Sequence, residues 1–448
     1  MKKELKLYQV PKILSIQDMI IQSARKFGPK IALEDLNNTP INKVTYRELL
    51  DNILKFGSAL NNLGIKERAH IAVIGENRAQ WAITYLTAMC FNYVIVPIDR
   101  NLTTNEIMNI MHESDAEAIV FSGSYSGIMA EGKSSLKKMK HFICMDETSE
   151  DKDFHIMPKL IRQAKEISTD ELPNIVPEEL AEIIFTSGSL GRAKGVMLSQ
   201  KNIASNLMDM VSMILITEQD RFLSVLPMHH TYECTCGLLC PLYCGASAHY
   251  ARSLKTVVDD IQTVKATILL GVPLLYDKMF RRIIKTIKEN KVKSFIVPPL
   301  VKLTNLFTIA GLSTIKKKVF SELHHKFGGA VRIFIAGGAA PDPLVAKGLR
   351  EFGFTFIQGY GLTETSPILA LNRLDSFKDD AAGLLLPSVN VKINNPDENG
   401  SGEIWAKGPS VMLGYYKNEK ATQDAFEDGW FKTGDIGFFD EDDFLHIN

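Results

Sequence analysis

Short apolar runs alternate with helical stretches along most of the chain, and this alternation constrains the fold more than any other feature. Apolar residues recur at three- and four-residue spacing over 45–63, which predicts a helix. Apolar runs at 70–74, 94–98 and 118–121 predict buried strands, and 77–90 predicts a further helix. Strands and helices in such alternation predict an α/β protein built from layered sheets.

The 448 residues are enough for roughly three domains. Two prolines within 172–177 indicate a linker, so we expect an α/β subdomain over 1–175 and a second one over 176–350. From Gly383 onward, short strands and Gly/Pro turns replace the helices. This change predicts a smaller, β-rich subdomain over 351–448.

Composition excludes several classes of protein. The chain has 51 Lys and Arg against 52 Asp and Glu, which argues against a dedicated nucleic-acid binder. Six cysteines are too few for a disulfide scaffold. There is no signal-peptide pattern behind Met1, and no apolar stretch approaches the 18 to 20 residues of a membrane span. We therefore expect a cytoplasmic enzyme of several subdomains.

One segment is strongly basic. Residues 281–318 contain ten Lys or Arg and a single acid, Glu289, with apolar residues in between. The segment belongs to an expected insertion over 277–328 and suits a solvated helical insertion with one apolar side. It also suits peripheral contact with an anionic membrane, where each Lys or Arg contributes about 1 kcal/mol.

The strongest chemical signal is the loop that follows the apolar strand Ile183–Phe185. Residues 186–195 hold three glycines, three hydroxyl side chains and Lys194. Glycines allow backbone N–H groups to turn toward an anion, and the hydroxyls and the lysine add donors and charge. The loop lacks the Gly-Lys-Ser/Thr order of a Walker motif. Composition alone leaves a polyphosphate site and a plain polar turn both open.

The loop resembles the Thr-Ser-Gly signature of the adenylate-forming (AMP-binding) superfamily, and four further stretches resemble its motifs in the same order. They are a histidine motif at 226–233, an adenine loop at 336–341, a second nucleotide motif at 358–365 and a ribose motif at 429–435. The resemblance implies the fold of the superfamily's large N-terminal domain. That fold consists of two layered α/β subdomains and a smaller β-rich one.

The chain departs from the family pattern in three places. Leu190 replaces a hydroxyl residue of the loop, and Ala193 replaces a proline. The sequence stops after Phe444–Asn448, where family members continue into a hinge and a small C-terminal lid domain. We therefore expect the lid domain to be absent from this chain and its overall turnover to be impaired.

The resemblance implies a two-step reaction that uses ATP, Mg²⁺ and CoA. A carboxylate attacks the α-phosphate of ATP to give an acyl-adenylate and pyrophosphate. The CoA thiol then takes the acyl group as AMP leaves. Because the first step brings two anions together, catalysis depends mainly on charge neutralisation and positioning. The residues implied as catalytic are Thr186, Lys194, His230, Thr363 and Glu364.

The resemblance also assigns contacts to the nucleotide. Glu364 is expected to hold Mg²⁺ together with Thr186, because a hard cation prefers oxygen ligands. Thr363 is expected at the α-phosphate and Asp435 at the ribose hydroxyls. The predicted nucleotide-binding residues are Thr186, Ser187, Gly188, Ser189, Gly191, Lys194, Gly338, Ala339, Ala340, Gln358, Gly359, Tyr360, Gly361, Thr363 and Asp435, with Gly338–Ala340 and Tyr360 on either side of the adenine.

Structural roles remain open for three of these residues. Glu364 could cap a helix, Asp435 could fix a turn, and His230, which would line the carboxylate site, could be a hydrogen-bonded core histidine.

The four cysteines between 234 and 244 have the spacing C-x-C-x3-C-x3-C, which does not match ordinary zinc sites. Their leucine-rich surroundings predict a buried helix instead.

Two features indicate the acid that is activated. No acidic residue lies between Cys234 and Tyr250, which argues against an amino-acid substrate. The Glu233 form of the histidine motif and the long insertion are most similar to long-chain fatty acyl-CoA synthetases. An apolar tunnel along Gly237–Leu239 and Leu269–Leu275 would hold a medium or long chain. Transfer to a carrier-protein thiol, and a non-catalytic nucleotide- or lipid-binding protein, remain alternatives, and the oligomeric state stays open.

Overall fold

The computed structural model describes residues 6–37, 41–149, 151–186, 193–309 and 314–448. In these ranges the chain folds into three β-sheets with helices packed against them. Among the helices of these ranges, none combines the length and the apolar character that crossing a bilayer requires.

The bounds of the elements follow chain order. The strands are β1 Ile31–Asp35, β2 Asn42–Thr45, β3 His70–Ile74, β4 Val94–Pro97, β5 Ala118–Phe121, β6 His141–Cys144, β7 His155–Ile156, β8 Leu180–Thr186, β9 Lys194–Ser199, β10 Arg221–Ser224, β11 Ser247–Tyr250, β12 Ile268–Gly271, β13 Ile333–Ala336, β14 Thr355–Gly361, β15 Ile368–Leu371, β16 Leu384–Leu385, β17 Asn390–Asn394, β18 Gly402–Lys407, β19 Gly414–Tyr415, β20 Phe426–Glu427, β21 Trp430–Phe439 and β22 Leu445–Ile447. The α-helices are α1 Ile16–Phe27, α2 Tyr46–Asn62, α3 Ala79–Cys90, α4 Thr104–Glu113, α5 Ser126–Gly132, α6 Met157–Gln163, α7 Gln200–Met213, α8 Cys240–Cys244, α9 Val257–Val264, α10 Pro273–Glu289, α11 Lys291–Ile309, α12 Thr314–Val319, α13 Ser321–Lys326, α14 Pro343–Glu351 and α15 Glu419–Ala425. A π-helix covers Tyr232–Leu239, and 3-10 turns cover Gly123–Tyr125, Thr169–Glu171 and Thr363–Thr365.

Local sequence signals explain where several helices begin. Thr45 accepts a hydrogen bond from the backbone of Glu48, whose side chain in turn accepts from the Thr45 backbone, 2.8 Å away. Thr103 and Glu106 form the same reciprocal pair at the start of α4. Each pair satisfies backbone donors that have no partner within the helix.

The first sheet has the order β16-β15-β14-β13-β12-β10-β11-β1-β2 in the described residues. Its central strands, from β1 through β11, β10, β12 and β13 to β14, are parallel, and antiparallel pairs close both edges. Strands β12 and β13 are buried over their whole length, as expected for parallel strands covered on both faces. Parallel pairing brings the carboxyl ends of these strands to one edge of the sheet.

The second sheet has the order β19-β9-β8-β4-β3-β5-β6-β7 within the same residues. Strand β8 lies parallel to β4, while β8 and β9 form an antiparallel hairpin and β19 pairs with β9. A small antiparallel sheet, with the order β17-β18-β21-β20 and β22 beside β21, completes the fold.

Helix α3 joins the two large sheets, and its sequence explains why. Every residue of Ala79–Cys90 is buried except Gln80, which is half-buried. A helix that is apolar all round has to be covered on every side. Helix α3 meets this need because it contacts β1 of the first sheet and both β3 and β4 of the second.

The elements predicted from periodicity are confirmed. The helix predicted at 45–63 is α2, the three predicted strands are β3, β4 and β5, and 77–90 contains α3. The predicted layered α/β architecture with a smaller β part is also present. The division at residues 175 and 350 stays a prediction, and the sheets draw strands from both sides of it. Strands β1 and β2 belong to the first sheet, whereas β8 and β9 belong to the second.

Candidate functional site

The loops after β10, β12, β13 and β14 surround a cavity of about 990 Å³. Because these strands are parallel, their carboxyl ends lie together, which is the usual position of ligand sites in α/β sheets. The volume is in the range of small-molecule and cofactor sites, about 300–1,000 Å³.

Most of the residues predicted from motifs line this cavity. They are His230, Gly338, Ala339, Ala340, Gln358, Gly359, Tyr360, Gly361, Thr363, Glu364 and Asp435. They come from four motifs separated by up to about two hundred residues, and the fold brings them to one place. Their individual roles stay predictions.

The predicted phosphate loop is described only at its two ends. Thr186 ends β8 and Lys194 begins β9, and the two residues pair across the hairpin. The Thr186 hydroxyl donates a hydrogen bond to the Lys194 carbonyl at 3.4 Å. Neither residue lines the cavity. The other predicted loop residues, Ser187, Gly188, Ser189 and Gly191, lie outside the described residues, as does Leu190.

Tyr415 connects Lys194 to Glu364. The Lys194 ammonium lies 5.0 Å from the centroid of the Tyr415 ring, which is a cation–π distance. The Tyr415 hydroxyl donates to Oε1 of Glu364 at 2.9 Å, and burial raises the pKa of this tyrosine. Motif reasoning missed Tyr415, because only the pairing of β19 with β9 brings it here.

The backbone around Glu364 is held from the same side. The Met412 amide donates to the Glu364 carbonyl at 2.8 Å, and the Leu413 amide donates to the Met197 carbonyl at 2.9 Å. The segment before Tyr415 therefore ties the Thr363–Thr365 turn to β9. These contacts fix the position of the Glu364 carboxylate relative to the lysine-bearing hairpin.

Gly361 lies where the backbone has no room for a side chain. A Cβ at this position would lie 1.8 Å from the carbonyl oxygen of Pro367. That oxygen accepts a hydrogen bond from the Leu362 amide at 3.0 Å and another from the Thr365 hydroxyl at 2.5 Å. Any residue other than glycine must therefore displace the turn that carries Thr363 and Glu364.

We expect Gly361→Ala to lower the free energy of unfolding by about 1–3 kcal/mol or more, since the new methyl group overpacks against backbone. Denaturant titration measures this loss. Gly127→Ala is the matched control, because a Cβ at Gly127 meets nothing within 4 Å. Equal unfolding midpoints for the two variants would show that the Gly361 turn is adaptable.

Tyr360 and Asp435 form a direct pair across the cavity. The Tyr360 hydroxyl donates to Oδ2 of Asp435 at 2.6 Å, and burial, together with this carboxylate, raises the pKa of Tyr360. The Asp435 amide donates to the Thr433 hydroxyl at 3.1 Å. The predicted ribose ligand on the small sheet is thus held by the predicted adenine-side tyrosine on the first sheet.

Asp99 joins the two histidines of the histidine motif. His229 Nε2 lies 3.3 Å from Oδ1 of Asp99, and the rings of His229 and His230 lie 4.0 Å apart. The contact with His229 lowers the pKa of Asp99 to about 2. Partial desolvation and the adjacent His229 lower the pKa of His230, an exposed residue at the cavity wall, to about 4, so its imidazole is neutral at pH 7. Motif reasoning missed Asp99, although its place just after the predicted strand 94–98 was a usable signal.

The cysteine-rich stretch is helical and buried, as predicted. It forms the π-helix Tyr232–Leu239 followed by α8, and Cys234, Cys236 and Cys240 are buried. In the described part of the chain, the group of three or more possible metal ligands is Asp99 with His229 and His230, and it includes no cysteine.

A second cavity lies beside the first and is entirely apolar. It has a volume of about 20 Å³ and shares Tyr232, Gly359 and Ile368 with the large cavity. Its further lining includes Met210, Cys236, Cys240 and Leu270. The expected tunnel lining is corrected in part: Leu238 and Leu239 are buried in the core and do not line either cavity. Cys236 of the π-helix and Cys240 at the start of α8 border this space instead.

Comparisons with known proteins agree with this geometry. A family described as AMP-binding enzyme matches residues 20–416. The long-chain-fatty-acid–[acyl-carrier-protein] ligase AEE15 of Arabidopsis thaliana is 27% identical and covers 95% of this chain and 67% of its own length. The long-chain-fatty-acid–CoA ligase 1 of Schizosaccharomyces pombe is 27% identical over 91% of this chain and 64% of its own. The chain thus spans about two thirds of the length of these curated relatives.

A solved structure has the same fold. The inhibitor-bound N-terminal domain of FACL13 from Mycobacterium tuberculosis superimposes with a TM-score of 0.77 at 21% identity. The match covers 97% of this chain and 99% of that domain.

Proposed function

The chain belongs to the AMP-binding enzyme family, and we propose that it activates a medium- or long-chain fatty acid with ATP and transfers the acyl group to CoA. One observation carries the proposal. Residues of four nucleotide and acid motifs line one cavity, and an apolar cavity opens behind Tyr232. The names of the relatives, which are ligases of long-chain fatty acids, support the choice of acid.

In the first step, a carboxylate oxygen of the acid attacks the α-phosphorus of ATP, and the bond to the bridging oxygen breaks, so pyrophosphate leaves. His230 lies at the cavity wall as a neutral imidazole and orients the incoming carboxylate without carrying a charge. Asp99 positions this histidine pair through His229. In the second step, the CoA thiol loses its proton to solvent and its sulfur attacks the acyl carbon. The bond between the acyl carbon and the AMP oxygen breaks, so AMP leaves with the oxygen that came from the acid.

Apart from those of Thr186 and Lys194, which do not line the cavity, the proposed nucleotide contacts follow its lining. Asp435 accepts hydrogen bonds from the ribose hydroxyls, and the hydroxyl of Tyr360 sets its orientation. Thr363 donates to the α-phosphate. Gly338, Ala339 and Ala340 form the opposite wall for the adenine. Lys194 and the hydroxyl-rich loop from Thr186 bind the outer phosphates.

The donor set also fits Mg²⁺. Carboxylate and hydroxyl oxygens are the ligands that this hard cation prefers. Glu364 lines the cavity and is held by the Tyr415 hydroxyl, so it is the residue we assign to the metal. We assign the Thr186 hydroxyl as a second ligand, which requires it to leave the Lys194 carbonyl. When bound, Mg²⁺ neutralises phosphate charge that would otherwise repel the carboxylate of the acid.

The apolar cavity holds about one water molecule, so an acyl chain must push its lining side chains apart. Each buried CH₂ contributes about 0.8 kcal/mol. We expect stable acyl-adenylate mimics of two to eighteen carbons to raise the midpoint of thermal unfolding by increasing amounts until the space is full. At 100 times the dissociation constant, a bound mimic stabilises the fold by about 2.7 kcal/mol.

In Cys236→Phe, the rise in unfolding midpoint with chain length should stop at a shorter chain. The phenylalanine ring takes up space along the cavity that Cys236 lines. Cys244→Phe makes the same change on the same helical stretch but outside the cavity lining. It should leave the dependence of the unfolding midpoint on chain length as in wild type. A series that peaks at two carbons in all three proteins would contradict a fatty-acid substrate.

A carrier-protein thiol is the second candidate acceptor, because the relative in Arabidopsis thaliana is named for an acyl-carrier-protein. Supplying the protein with its bound acyl-adenylate and either CoA or phosphopantetheinylated carrier protein, and measuring the thioester formed, separates the two. We expect acyl-CoA.

We also propose the division at residues 175 and 350, and peripheral contact with an anionic membrane through residues 281–318.

A further inference from the structure

Two histidines and an aspartate from different sheets meet at the wall of the large cavity. Asp99 follows β4 of the second sheet, and His229 and His230 follow β10 of the first. Each side chain offers one possible ligand atom, and the three atoms all lie within 4.8 Å of one another. We call these three residues the His-Asp cluster; His230 is the member that lines the cavity.

The spacing of the ligand atoms suits a single metal ion. His229 Nε2 lies 3.3 Å from Oδ1 of Asp99. Zinc bonds of about 2.0–2.2 Å to nitrogen and oxygen, at a tetrahedral angle, place two ligand atoms about 3.3–3.5 Å apart. The first two ligands therefore already have the separation that the ion requires. The ligand atom of His230 needs a shift of no more than about 1.5 Å, which an exposed side chain makes by rotating.

The His229 side chain supplies a second, independent observation. It is buried, with an exposed fraction of 6%, and its Nε2 has no hydrogen-bond partner among the residues that the structure describes. Oδ1 of Asp99 is at ion-pair distance, yet the two atoms do not form a hydrogen bond. Leaving a buried polar atom without a partner is costly. Two atoms that bind one ion have this relation, because each points at the ion rather than at the other atom.

The surrounding backbone holds the ligands in place. The Asn101 amide donates to Oδ1 of Asp99, the same oxygen that faces His229, at 2.8 Å. Asn77 fixes the loop that carries the two histidines. Its side-chain oxygen accepts from the Met228 amide at 3.1 Å, and its amide group donates to the carbonyl that ends the loop's first residue, 2.6 Å away. Outer hydrogen bonds of this kind orient the ligands of metal sites.

We propose that the His-Asp cluster binds a zinc ion, and that this ion reversibly inhibits acyl-adenylate formation. Imidazole nitrogens with one carboxylate suit a transition-metal dication, whereas Mg²⁺ prefers oxygen ligands. The inhibition rests on the proposed function, in which His230 orients the carboxylate of the acid. Zinc draws the His230 ring toward Asp99 and away from that carboxylate. Zinc binding itself requires no catalysis.

The test is a titration of the protein with Co²⁺, which accepts the same nitrogen and oxygen ligands as zinc and whose visible absorption strengthens in a four-coordinate site. Wild type should bind one Co²⁺ per chain, and Zn²⁺ should displace it while Mg²⁺ should not. His230→Ala and Asp99→Asn each remove one ligand. Each should weaken binding by more than the roughly 10–100-fold that the loss of an outer hydrogen bond costs.

His141→Ala is the matched control. His141 also lies beside a second histidine, with its ring centroid 5.9 Å from that of His155, but within the described ranges this pair belongs to no group of three possible ligands. The control should bind Co²⁺ like wild type. Wild type without a four-coordinate spectrum, or His230→Ala and Asp99→Asn variants that bind like wild type, would overturn the inference. An intense near-ultraviolet band from sulfur to metal would assign binding to the cysteines and overturn it as well.

Pyrophosphate release with fatty acid, ATP and Mg²⁺, measured with and without zinc, tests the inhibition. Saturating zinc should slow wild type at least tenfold, a zinc-selective chelator should restore the rate, and Asp99→Asn should show nearly the same rate with and without zinc. Equal inhibition of both proteins would place the inhibitory zinc elsewhere and refute this role of the cluster. A Co²⁺ spectrum without pyrophosphate release from any fatty acid refutes the proposed function alone. Pyrophosphate release without a Co²⁺ spectrum refutes the zinc site alone.

Discussion

Glu364→Gln is expected to slow acyl-adenylate formation at least tenfold while the fold survives. The substitution keeps the size of the side chain but replaces an anionic oxygen that we assign to Mg²⁺ with a neutral amide. Losing an interaction with a charged group costs about 1.5–3 kcal/mol, and each 1.36 kcal/mol is a tenfold change in rate. In wild type the Tyr415 hydroxyl lies 2.9 Å from Oε1 of Glu364. The amide oxygen of the glutamine can accept the same hydrogen bond, so the turn keeps this contact.

Two measurements check this expectation. Pyrophosphate release with fatty acid and ATP reports the chemical step. Thermal unfolding with ATP, with and without Mg²⁺, reports metal binding without chemistry, and the extra stabilisation by Mg²⁺ should disappear in the variant.

Tyr415→Phe is the control that keeps the carboxylate and removes one hydrogen bond to it. It should slow the reaction less than Glu364→Gln does, because the anionic oxygen that we assign to Mg²⁺ stays in place. Unchanged pyrophosphate release by Glu364→Gln would remove the metal role from this residue. A Tyr415→Phe defect as large as that of Glu364→Gln would instead assign most of the effect to the geometry of the turn.

Two buried carboxylic acids are expected to make the stability of the fold fall as the pH rises from about 4.5 to about 8. Glu182 is 2% and Glu233 1% exposed, and burial raises the pKa of each to about 8. The Tyr85 hydroxyl donates to Oε2 of Glu182 at 3.0 Å, a contact that a protonated acid accepts without charge. Both acids are therefore neutral in the folded protein at pH 7.

The direction of this pH dependence follows from the number of protons that the folded and unfolded states bind. In the unfolded chain these groups lose their protons near their ordinary pKa of 4.5, whereas in the folded chain they keep them up to about 8. Between these values the folded state binds more protons, so rising pH favours unfolding by about 1.4 kcal/mol per pH unit and group. The destabilisation is absent below pH 4.5 and complete above pH 8.

Glu182→Gln removes one of the two ionisations and should flatten the profile accordingly. Urea titrations at pH 5, 6, 7 and 8 measure the free energy of unfolding. As the pH rises, this free energy should fall less in the variant than in wild type. Glu131→Gln is the control, because Glu131 is exposed on α5 and should leave the wild-type slope unchanged. Parallel profiles for wild type and Glu182→Gln would mean that Glu182 is ionised inside the fold.

The motifs and the secondary structure were readable from the sequence because each depends on near neighbours. A strand such as β3 follows from a run of apolar residues, and the start of α2 follows from Thr45 and Glu48. Motif residues such as Glu364 carry their signal in the adjacent glycines and hydroxyls. Length and charge balance likewise need no structure to exclude whole classes of protein.

Only the tertiary structure decided which distant residues meet. Asp99 reaches His229 because β4 and β10 belong to different sheets whose carboxyl ends converge, and Tyr415 reaches Glu364 because β19 pairs with β9. The π-helix decided that Cys236, rather than Leu238, borders the apolar cavity. Strand pairing and helix rotation are set by burial across the whole fold, and the side chains that they bring together are too far apart in the sequence to form a local pattern.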